Sequence, residues 1–227
     1  MHAVILAAGK GVRMGDLTKE CPKPMLPLNG KPKLAYTLEL LPDAIDSVII
    51  VVGYYGEKIK EYFGASFAGR RIDYVWQSAL NGSDGAVRLA KGKVSGRFLV
   101  VMGDDLYRHV DLEKLLQHRW ALLACHTQRA EQFGLVSVDA RGILSGVIER
   151  PHHFTHGLVN TGAYVLGEEY FSFSPVPISS TEYGLPQTLA AMREHYPTRV
   201  VTTDTWQPIG SPEDIQRAQD TLTQFLQ

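Results

Sequence analysis

The sequence predicts an α/β fold built on a mixed, mostly parallel central sheet. In the first half of the chain, apolar runs that suit buried strands alternate with stretches of helical spacing. In the second half, a hairpin pattern adds antiparallel strands. Alternating strands and helices form right-handed βαβ units, and such a sheet carries its ligand crevice at the carboxyl ends of the strands.

The first half of the chain holds four predicted strands and three predicted helices. The strands cover residues 3–8, 47–53, 71–76 and 97–105. The helices cover residues 34–41, 56–63 and 84–91. Gly9 and Gly11 follow the first strand directly, and the fourth strand ends in Asp104 and Asp105. A glycine turn and carboxylates are therefore expected at the crevice.

The second half is less regular. Strands are predicted over residues 120–128, 158–167 and 199–206, a hairpin over 133–150 with its turn at 139–142, and helices over 185–195 and 212–226. Pro212 and two carboxylates suit the start of the last helix. No internal repeat or linker divides the sequence, so residues 1–227 are predicted to form a single domain.

Composition excludes several classes of protein. The 227 residues are 44% hydrophobic and 21% charged, and they include no apolar run near the roughly 18 residues that a membrane span needs. A net charge of −1 gives no electrostatic footprint for nucleic acid. Cys21 and Cys125 lie far apart, which favours a reducing compartment and hence a cytoplasmic location.

A local excess of positive charge lies near the amino terminus. Between residues 9 and 33, two acidic side chains are outnumbered by six basic ones, namely Lys10, Arg13, Lys19, Lys23, Lys31 and Lys33. We therefore expect a small anionic ligand in this part of the chain.

Two short motifs within this basic segment suit phosphate chemistry. In LAAGKGVRM, Gly9 and Gly11 allow backbone amides to turn toward a phosphate, which Arg13 could then bind. The segment matches neither the dinucleotide fingerprint nor a P-loop. In the second motif, Pro22 and Pro24 restrict Lys23, which suits a catalytic cation. A structural turn and a solvated lysine in a rigid loop are the alternatives.

Together the two motifs resemble the signature of the sugar-phosphate nucleotidyltransferase family, L-A-A-G-x-G-x-R followed about ten residues later by P-K-P. That family includes glucose-1-phosphate thymidylyltransferases, UTP–glucose-1-phosphate uridylyltransferases and the uridylyltransferase half of the bifunctional enzyme that makes UDP-N-acetylglucosamine. The resemblance implies a Rossmann-like, three-layer α/β/α fold with a small β-hairpin subdomain. Residues of about 1–110 would form the nucleotide-binding half, and residues of about 111–227 the sugar-phosphate-binding half.

The resemblance also implies an activity and its site. The enzyme would join a nucleoside triphosphate to a sugar 1-phosphate and release pyrophosphate, with Mg²⁺ as cofactor. Arg13, Lys23 and Asp104 would be catalytic, and Asp104, which matches the family's G-D element, would bind the metal. Asp105 is expected to point elsewhere, because neighbouring residues of a strand face opposite sides.

Further motifs extend the resemblance along almost the whole chain. The nucleotide-binding residues would be Leu6, Ala8, Gly9, Gly11, Gln77, Gly82 and Ser83. Gln77 and the Gly82–Ser83 pair match an element that contacts a pyrimidine base, so UTP or dTTP is favoured. Between these two, the hydroxyl of Ser83, a feature common among uridylyltransferases, favours UTP. The alternative is a polar turn in which Ser83 and Asp84 cap the following helix.

The sugar phosphate would be held by the second half of the chain. Glu149 and Arg150 resemble the family's E-K-P element, and arginine retains the positive charge with a planar, forked shape. Asn160 and Gly162 match an N-x-G element that lines the sugar pocket. An asparagine with a purely structural hydrogen bond is the alternative.

One segment departs from the family pattern. Relatives commonly have W-x-D-I-G-T-P, in which the aspartate helps to bind metal, whereas this sequence has Pro208 at that position. The metal would then be held by Asp104 with the triphosphate and water, or Asp204 would compensate, or activity would be reduced.

Two other functions stay open at this stage. A CTP-dependent cytidylyltransferase acting on phosphocholine or another alcohol phosphate shares the amino-terminal motifs, and a nucleotide-sensing protein with weak or no catalysis would explain Pro208. The expected ligands are a nucleoside triphosphate and a sugar 1-phosphate, with neither nucleic acid nor membrane as partner. The oligomeric state is left open, a homodimer included.

Overall fold

A ten-stranded mixed sheet forms the centre of the computed structural model, which describes residues 1–226. The strands are β1 (His2–Ala7), β2 (Pro27–Leu28), β3 (Lys31–Pro32), β4 (Ser47–Val52), β5 (Ser66–Phe67), β6 (Arg70–Trp76), β7 (Arg97–Met102), β8 (Leu106–Tyr107), β9 (Ala121–Thr127), β10 (Gly134–Val138), β11 (Leu144–Glu149), β12 (Gly157–Gly167), β13 (Arg199–Thr203) and β14 (Trp206–Gln207). The pairs β2–β3 and β8–β14 lie outside the main sheet.

Six α-helices connect or flank the strands in this part of the chain, residues 1–226. They are α1 (Lys33–Glu39), α2 (Gly56–Phe63), α3 (Gly82–Arg88), α4 (His109–Leu116), α5 (Leu185–Ala191) and α6 (Pro212–Thr221). Short 3₁₀ helices cover Val12–Thr18, Lys23–Met25, Ala130–Gln132, Glu168–Ser172 and Leu222–Gln224.

The parallel part of the sheet is built around β1. This strand pairs in parallel with β4 on one side and with β7 on the other, and β4 pairs in parallel with β6. The chain runs outward from β1 in one direction and later returns to its other side, so the strand order reverses between β1 and β7. Ligand crevices in α/β sheets form at the carboxyl ends of strands at such a reversal.

Helices cover both faces of the sheet, because the buried strands are apolar on both sides. Along β1, Val4 and Leu6 belong to the core cluster that includes residues of α3 and α5. Ala3 and Ile5 belong to the opposite cluster, which includes residues of α1, α2 and α4. The three-layer α/β/α fold with a mixed central sheet is therefore confirmed.

Strand β12 joins the two halves of the chain. Its later residues pair antiparallel with β7, its earlier residues contact β10, and β9 pairs along its other edge. The register shifts along β9, where Asn160 is opposite Ala124 but Tyr164 is opposite Leu122. Gly162 lies within this irregular stretch with φ 81°, so the extra residues bulge at the carboxyl edge of the sheet.

Most predicted elements are present, with three differences. The hairpin of β10 and β11 is continuous with the main sheet through the contact between β10 and β12. Helix α4 was not predicted. The strand predicted over residues 199–206 is divided into β13 and β14, and β14 pairs with β8 instead of continuing the sheet.

No helix among residues 1–226 has the length and apolar character to cross a membrane.

Arg70 fastens the edge of the sheet to the end of α1. Its guanidinium donates to the carbonyls of Leu38 (3.2 Å), Leu41 (2.6 Å), Pro42 (3.3 Å) and Ile45 (3.0 Å). The last carbonyls of a helix have no partner within the helix, and a cationic donor both satisfies them and complements the helix dipole. Arg70 therefore caps the Leu38 carbonyl in the last turn of α1 and fixes the loop that follows this helix.

We expect Arg70→Ala to lower the free energy of unfolding by about 2 kcal/mol, because hydrogen bonds from a charged donor are lost and carbonyls are left unpaired. Arg71→Ala is the matched control, since that exposed side chain pairs only with Asp73 at 3.3 Å and its removal should cost at most about 0.5 kcal/mol. Urea denaturation of the two variants measures the difference. Equal midpoints would contradict the capping role.

Candidate active site

Two adjoining cavities lie at the carboxyl ends of the parallel strands. The first has a volume of about 510 Å³, and the second has a volume of about 250 Å³. The predicted site residues in the wall of the first are Leu6, Ala8, Gly9, Gly11, Arg13, Lys23, Gln77, Gly82, Ser83, Asp104 and Arg150. Those in the wall of the second are Arg13, Lys23, Asp104, Glu149, Arg150, Asn160 and Gly162. Four of these residues are shared, so the two cavities meet at Arg13, Lys23, Asp104 and Arg150.

The glycine turn after β1 is shaped by close packing. Gly11 has φ 66°, in the left-handed region, and a Cβ at this position would lie 2.9 Å from Cβ of Lys23. Its carbonyl accepts from the amide of Met14 (2.9 Å) and the hydroxyl of Thr18 (3.1 Å). Glycine thus lets the turn pack directly against the loop that carries Lys23, and both segments face the first cavity.

Two guanidinium groups at the junction of the cavities have no counter-ion. The side chains of Arg13 and Arg150 form neither hydrogen bonds nor ion pairs with other residues of the described chain, 1–226. Arg150 also has φ 44°, an uncommon conformation for a residue with a Cβ. Both groups line both cavities, so the junction presents positive charge to an incoming ligand.

Lys23 and Asp104 form an ion pair in the wall shared by the two cavities. Lys23 begins a 3₁₀ turn between two prolines, and Asp104 lies two residues after the end of β7, beyond Gly103. Burial opposes the charge on Lys23, yet the carboxylates of Asp104 and Asp105 raise the pKa of Lys23 above its ordinary value. Burial likewise opposes ionisation of Asp104, but the ammonium groups of Lys23 and Lys33 hold the pKa of Asp104 below its usual value. Lys23 and Asp104 are therefore both charged near neutral pH.

Asp105 also lines the second cavity, contrary to the expectation that it points elsewhere, but its role differs from that of Asp104. Its carboxylate accepts hydrogen bonds from the backbone amide of Ile209 (3.2 Å) and from Nε1 of Trp206 (3.3 Å). Burial and the neighbouring charge of Asp104 raise the pKa of Asp105 to about 7. Asp105 thus anchors the segment that carries Pro208 against the end of β7, a role that sequence reasoning missed.

Lys33 is the second residue that sequence reasoning missed. The residue is 0% exposed, and its Nζ has no hydrogen-bond partner in the chain described. Burial lowers the pKa of Lys33 to about 8, although the carboxylates of Asp104 and Asp105 oppose the shift. The only sequence signal was its place in the basic segment that ends at residue 33.

The far end of the first cavity contains the residues predicted to contact a base. Gln77 donates through Nε2 to Oδ1 of Asn81 (2.9 Å). The side-chain oxygen of Gln77 takes no part in this bond. Gly82 has φ 89°, and a Cβ there would lie 2.3 Å from the carbonyl oxygen of Tyr183. Ser83 accepts from the amide of Leu185 (3.1 Å) through its hydroxyl. This segment is therefore fixed to the loop before α5.

The alternative of a side-chain cap is not observed at α3. Neither Ser83 nor Asp84 forms a side-chain cap hydrogen bond at the start of this helix. Asp84 is instead fully buried, where it pairs with Arg88 and accepts from the hydroxyl of Tyr170. The carboxylate of Asp84 thus binds groups in the core and does not line the cavity.

The second cavity collects the residues predicted to bind a sugar phosphate. Glu149 accepts from Nε2 of Gln187 (2.8 Å). Asn160 donates to the hydroxyl of Tyr164 (2.6 Å) and accepts from the amide of Gly162 (3.0 Å). These bonds orient Glu149 at the end of β11 and Asn160 at the bulge of β12, both in the wall of the second cavity.

The site offers a carboxylate ligand for a divalent metal, although it offers few such ligands. Asp104 faces both cavities, and Mg²⁺ commonly binds through one or two carboxylates together with substrate phosphates. Asp204 does not compensate for Pro208, because it pairs with Arg108 (2.9 Å) and lies outside both cavities. Within residues 1–226 there is no group of three or more histidine, cysteine or acidic side chains placed to hold a metal.

Comparison with known proteins identifies relatives over nearly the whole chain. The model of the nucleotidyl transferase family matches residues 2–224. The bifunctional protein GlmU of Methanocaldococcus jannaschii is 32% identical over 222 residues, which are 96% of this chain and 53% of that protein. The chain thus spans about half the length of the GlmU relatives that it matches.

Two further relatives match over a larger share of their own length. The D-glycero-alpha-D-manno-heptose 1-phosphate guanylyltransferase of Campylobacter jejuni is 33% identical over 175 residues, which are 76% of this chain and 78% of that protein. A Bacillus anthracis protein described as a glucose-1-phosphate thymidylyltransferase, solved with sucrose, superposes with a TM-score of 0.86 at 21% identity, over 97% of this chain and 94% of that one. This likeness supports the fold. The family match and the two sequence relatives together confirm the sequence-based expectation, and the chain belongs to the nucleotidyl transferase family, among its sugar-phosphate nucleotidyltransferases.

Proposed function

We propose that this protein transfers a nucleotidyl group from a nucleoside triphosphate to a sugar 1-phosphate, with release of pyrophosphate. The observation that carries the proposal is the junction of the two cavities, where Arg13, Lys23, Asp104 and Arg150 line both walls. A triphosphate in the first cavity and a sugar phosphate in the second would bring their reacting phosphates together at this junction. The guanidinium groups of Arg13 and Arg150 at this junction suit the negative charge of both phosphate ligands.

The proposed nucleotide lies along the first cavity. Its phosphates lie against the glycine turn and Arg13, and its base lies near Gln77, Gly82 and Ser83. The match to an element that contacts a pyrimidine base favours UTP or dTTP as the substrate, and the hydroxyl of Ser83 favours UTP between these two. Because one relative is a guanylyltransferase, GTP is the competing nucleotide that a test must include.

The proposed sugar phosphate occupies the second cavity, with its sugar near Glu149 and Asn160 and its phosphate near Arg150. A phosphate oxygen attacks the α-phosphorus in line, forming the new P–O bond while the bond to the β-phosphate breaks and pyrophosphate leaves. The chain's contribution is to hold the two phosphates in line and to offset negative charge with Arg13 and Lys23. No covalent intermediate with the protein is required.

Asp104 would hold the divalent metal of this reaction, which we propose to be Mg²⁺. When bound, the metal supplies neutralising charge to the triphosphate. Since Pro208 offers no ligand, most of the remaining coordination would come from phosphate oxygens and water.

We expect Arg13→Ala and Lys23→Ala each to lower kcat by about 10² to 10³, the usual effect of losing one preorganised charged donor. Lys19→Ala is the matched control, because that lysine lies in the same segment with its side chain 73% exposed and paired with Asp16. Pyrophosphate release under saturating substrates gives the rates. Turnover of Lys23→Ala within twofold of the parent would refute the assignment of that lysine.

A second experiment defines the reaction itself. Pyrophosphate release is measured for UTP, dTTP, CTP, GTP and ATP, each with a panel of sugar 1-phosphates and with phosphocholine. Turnover with UTP or dTTP and a sugar 1-phosphate supports the proposal. Preference for CTP with phosphocholine supports a cytidylyltransferase, and binding without turnover in any pair supports a nucleotide-sensing protein.

We expect Asp104→Asn to remove metal-dependent stabilisation as well as turnover, because the amide lacks the charge that attracts the cation. In the presence of nucleotide, the rise in Tm that Mn²⁺ causes in Asp104→Asn should be less than half of the rise in the parent. The same rise should be fully retained in Asp204→Asn. Differential scanning fluorimetry measures both variants. A full shift in Asp104→Asn would place the metal elsewhere.

A further inference from the structure

Lys33 is energetically misplaced in the free protein. Its ammonium is fully buried without a hydrogen-bond partner among the residues described, and a buried unpartnered charge is costly. It is also the first residue of α1, where the helix dipole disfavours a cation. Methionine would have similar length and none of these penalties, so packing alone does not account for a lysine here.

The backbone places Lys33 directly behind the candidate site. Its amide donates to the carbonyl of Leu26 (3.2 Å), next to the 3₁₀ turn that begins at Lys23. The hydroxyl of Thr37, one turn along α1, donates to the carbonyl of Asp105 (3.4 Å). Lys33 is absent from the walls of both cavities, whereas Asp104 and Asp105 line the second, so Lys33 lies on the protein side of these carboxylates.

Four ionisable groups lie close enough to Lys33 to affect its pKa. They are the carboxylates of Asp104 and Asp105, the ammonium of Lys23 and the thiol of Cys21. Asp104 is already paired with Lys23, and Asp105 accepts from the segment around Ile209. In the free protein Lys33 is therefore a cation without a hydrogen-bond partner among residues 1–226, beside an ion pair that is complete.

The proposed reaction breaks that ion pair. If Lys23 turns from Asp104 to a phosphate before the metal binds, the carboxylate of Asp104 is left without its ion-pair partner, at considerable cost. We propose that Lys33 is a positioning residue, a buried counter-ion that compensates Asp104 from behind and so lets Lys23 turn to the nucleotide. This inference rests on the proposed function and adds the residue that makes Lys23 available.

The test is a double-mutant cycle with Lys33→Met and Lys23→Ala, with Lys31→Met as the matched control. Lys31 lies two residues earlier, partly exposed and paired with Glu39 (2.6 Å). The probes are UTP and GTP, each in EDTA without Mg²⁺ and without any sugar phosphate, and binding is measured by calorimetry. We expect Lys33→Met to weaken nucleotide binding about tenfold in the parent and not in the Lys23→Ala background, since coupled residues are non-additive.

Thermal unfolding provides a readout that is independent of the ligand. The Tm of free Lys33→Met should equal or exceed that of the parent, because an unfavourable buried charge is removed. A variant that fails to fold, or that loses several degrees, would show that the ammonium stabilises the free protein and would overturn the inference. Lys31→Met should change neither Tm nor affinity appreciably.

The remaining outcomes separate the two proposals. If the parent binds nucleotide and Lys33→Met binds it equally well, Lys33 has no such role while the proposed function stands. An equal loss in the parent and in the Lys23→Ala background would also overturn the inference, since Lys33 would then act independently of Lys23. If the parent binds neither UTP nor GTP and the wider panel shows no turnover, the proposed function fails and the inference fails with it.

Discussion

The site depends on charge balance in a region that excludes most water. Two carboxylates, Asp104 and Asp105, and two ammonium groups, Lys23 and Lys33, meet where β7 ends and α1 begins. Isolated buried charges of this kind would destabilise the fold, so each needs a partner. The ion pair satisfies two of them, and the amide of Ile209 satisfies a third.

The surrounding structure follows from this requirement. The glycine turn can approach Lys23 closely only because Gly11 has no side chain, and the two prolines keep that lysine at the cavity wall. Asp105 draws the segment carrying Pro208 onto the same strand end. The loops around the junction are thus positioned by the same charges that a phosphate ligand would meet.

The sequence predicted those strands and site residues that depend on residues close together in the chain. Apolar runs define β1, β4 and β7, and short motifs such as the glycine turn place Arg13 and Lys23 near a strand end. The roles of Lys33 and Asp105 were missed, because each depends on contacts between segments far apart in sequence. Helix α4 was missed because it has only eight residues, half of them apolar, which is too short a stretch to show a clear helical period.

The long strand β12 has a mechanical consequence for substrate entry. It is hydrogen-bonded to β7 over its last residues and to β9 on both sides of its bulge, so this one strand joins β7 in the first half of the chain to β9 in the second. Rotating one half as a rigid body would rupture those bonds, whereas displacing surface loops would not. Room for ligands of different bulk must therefore come from surface segments at the rim, such as the one around Tyr183 beside the first cavity, while the strands beneath keep their positions.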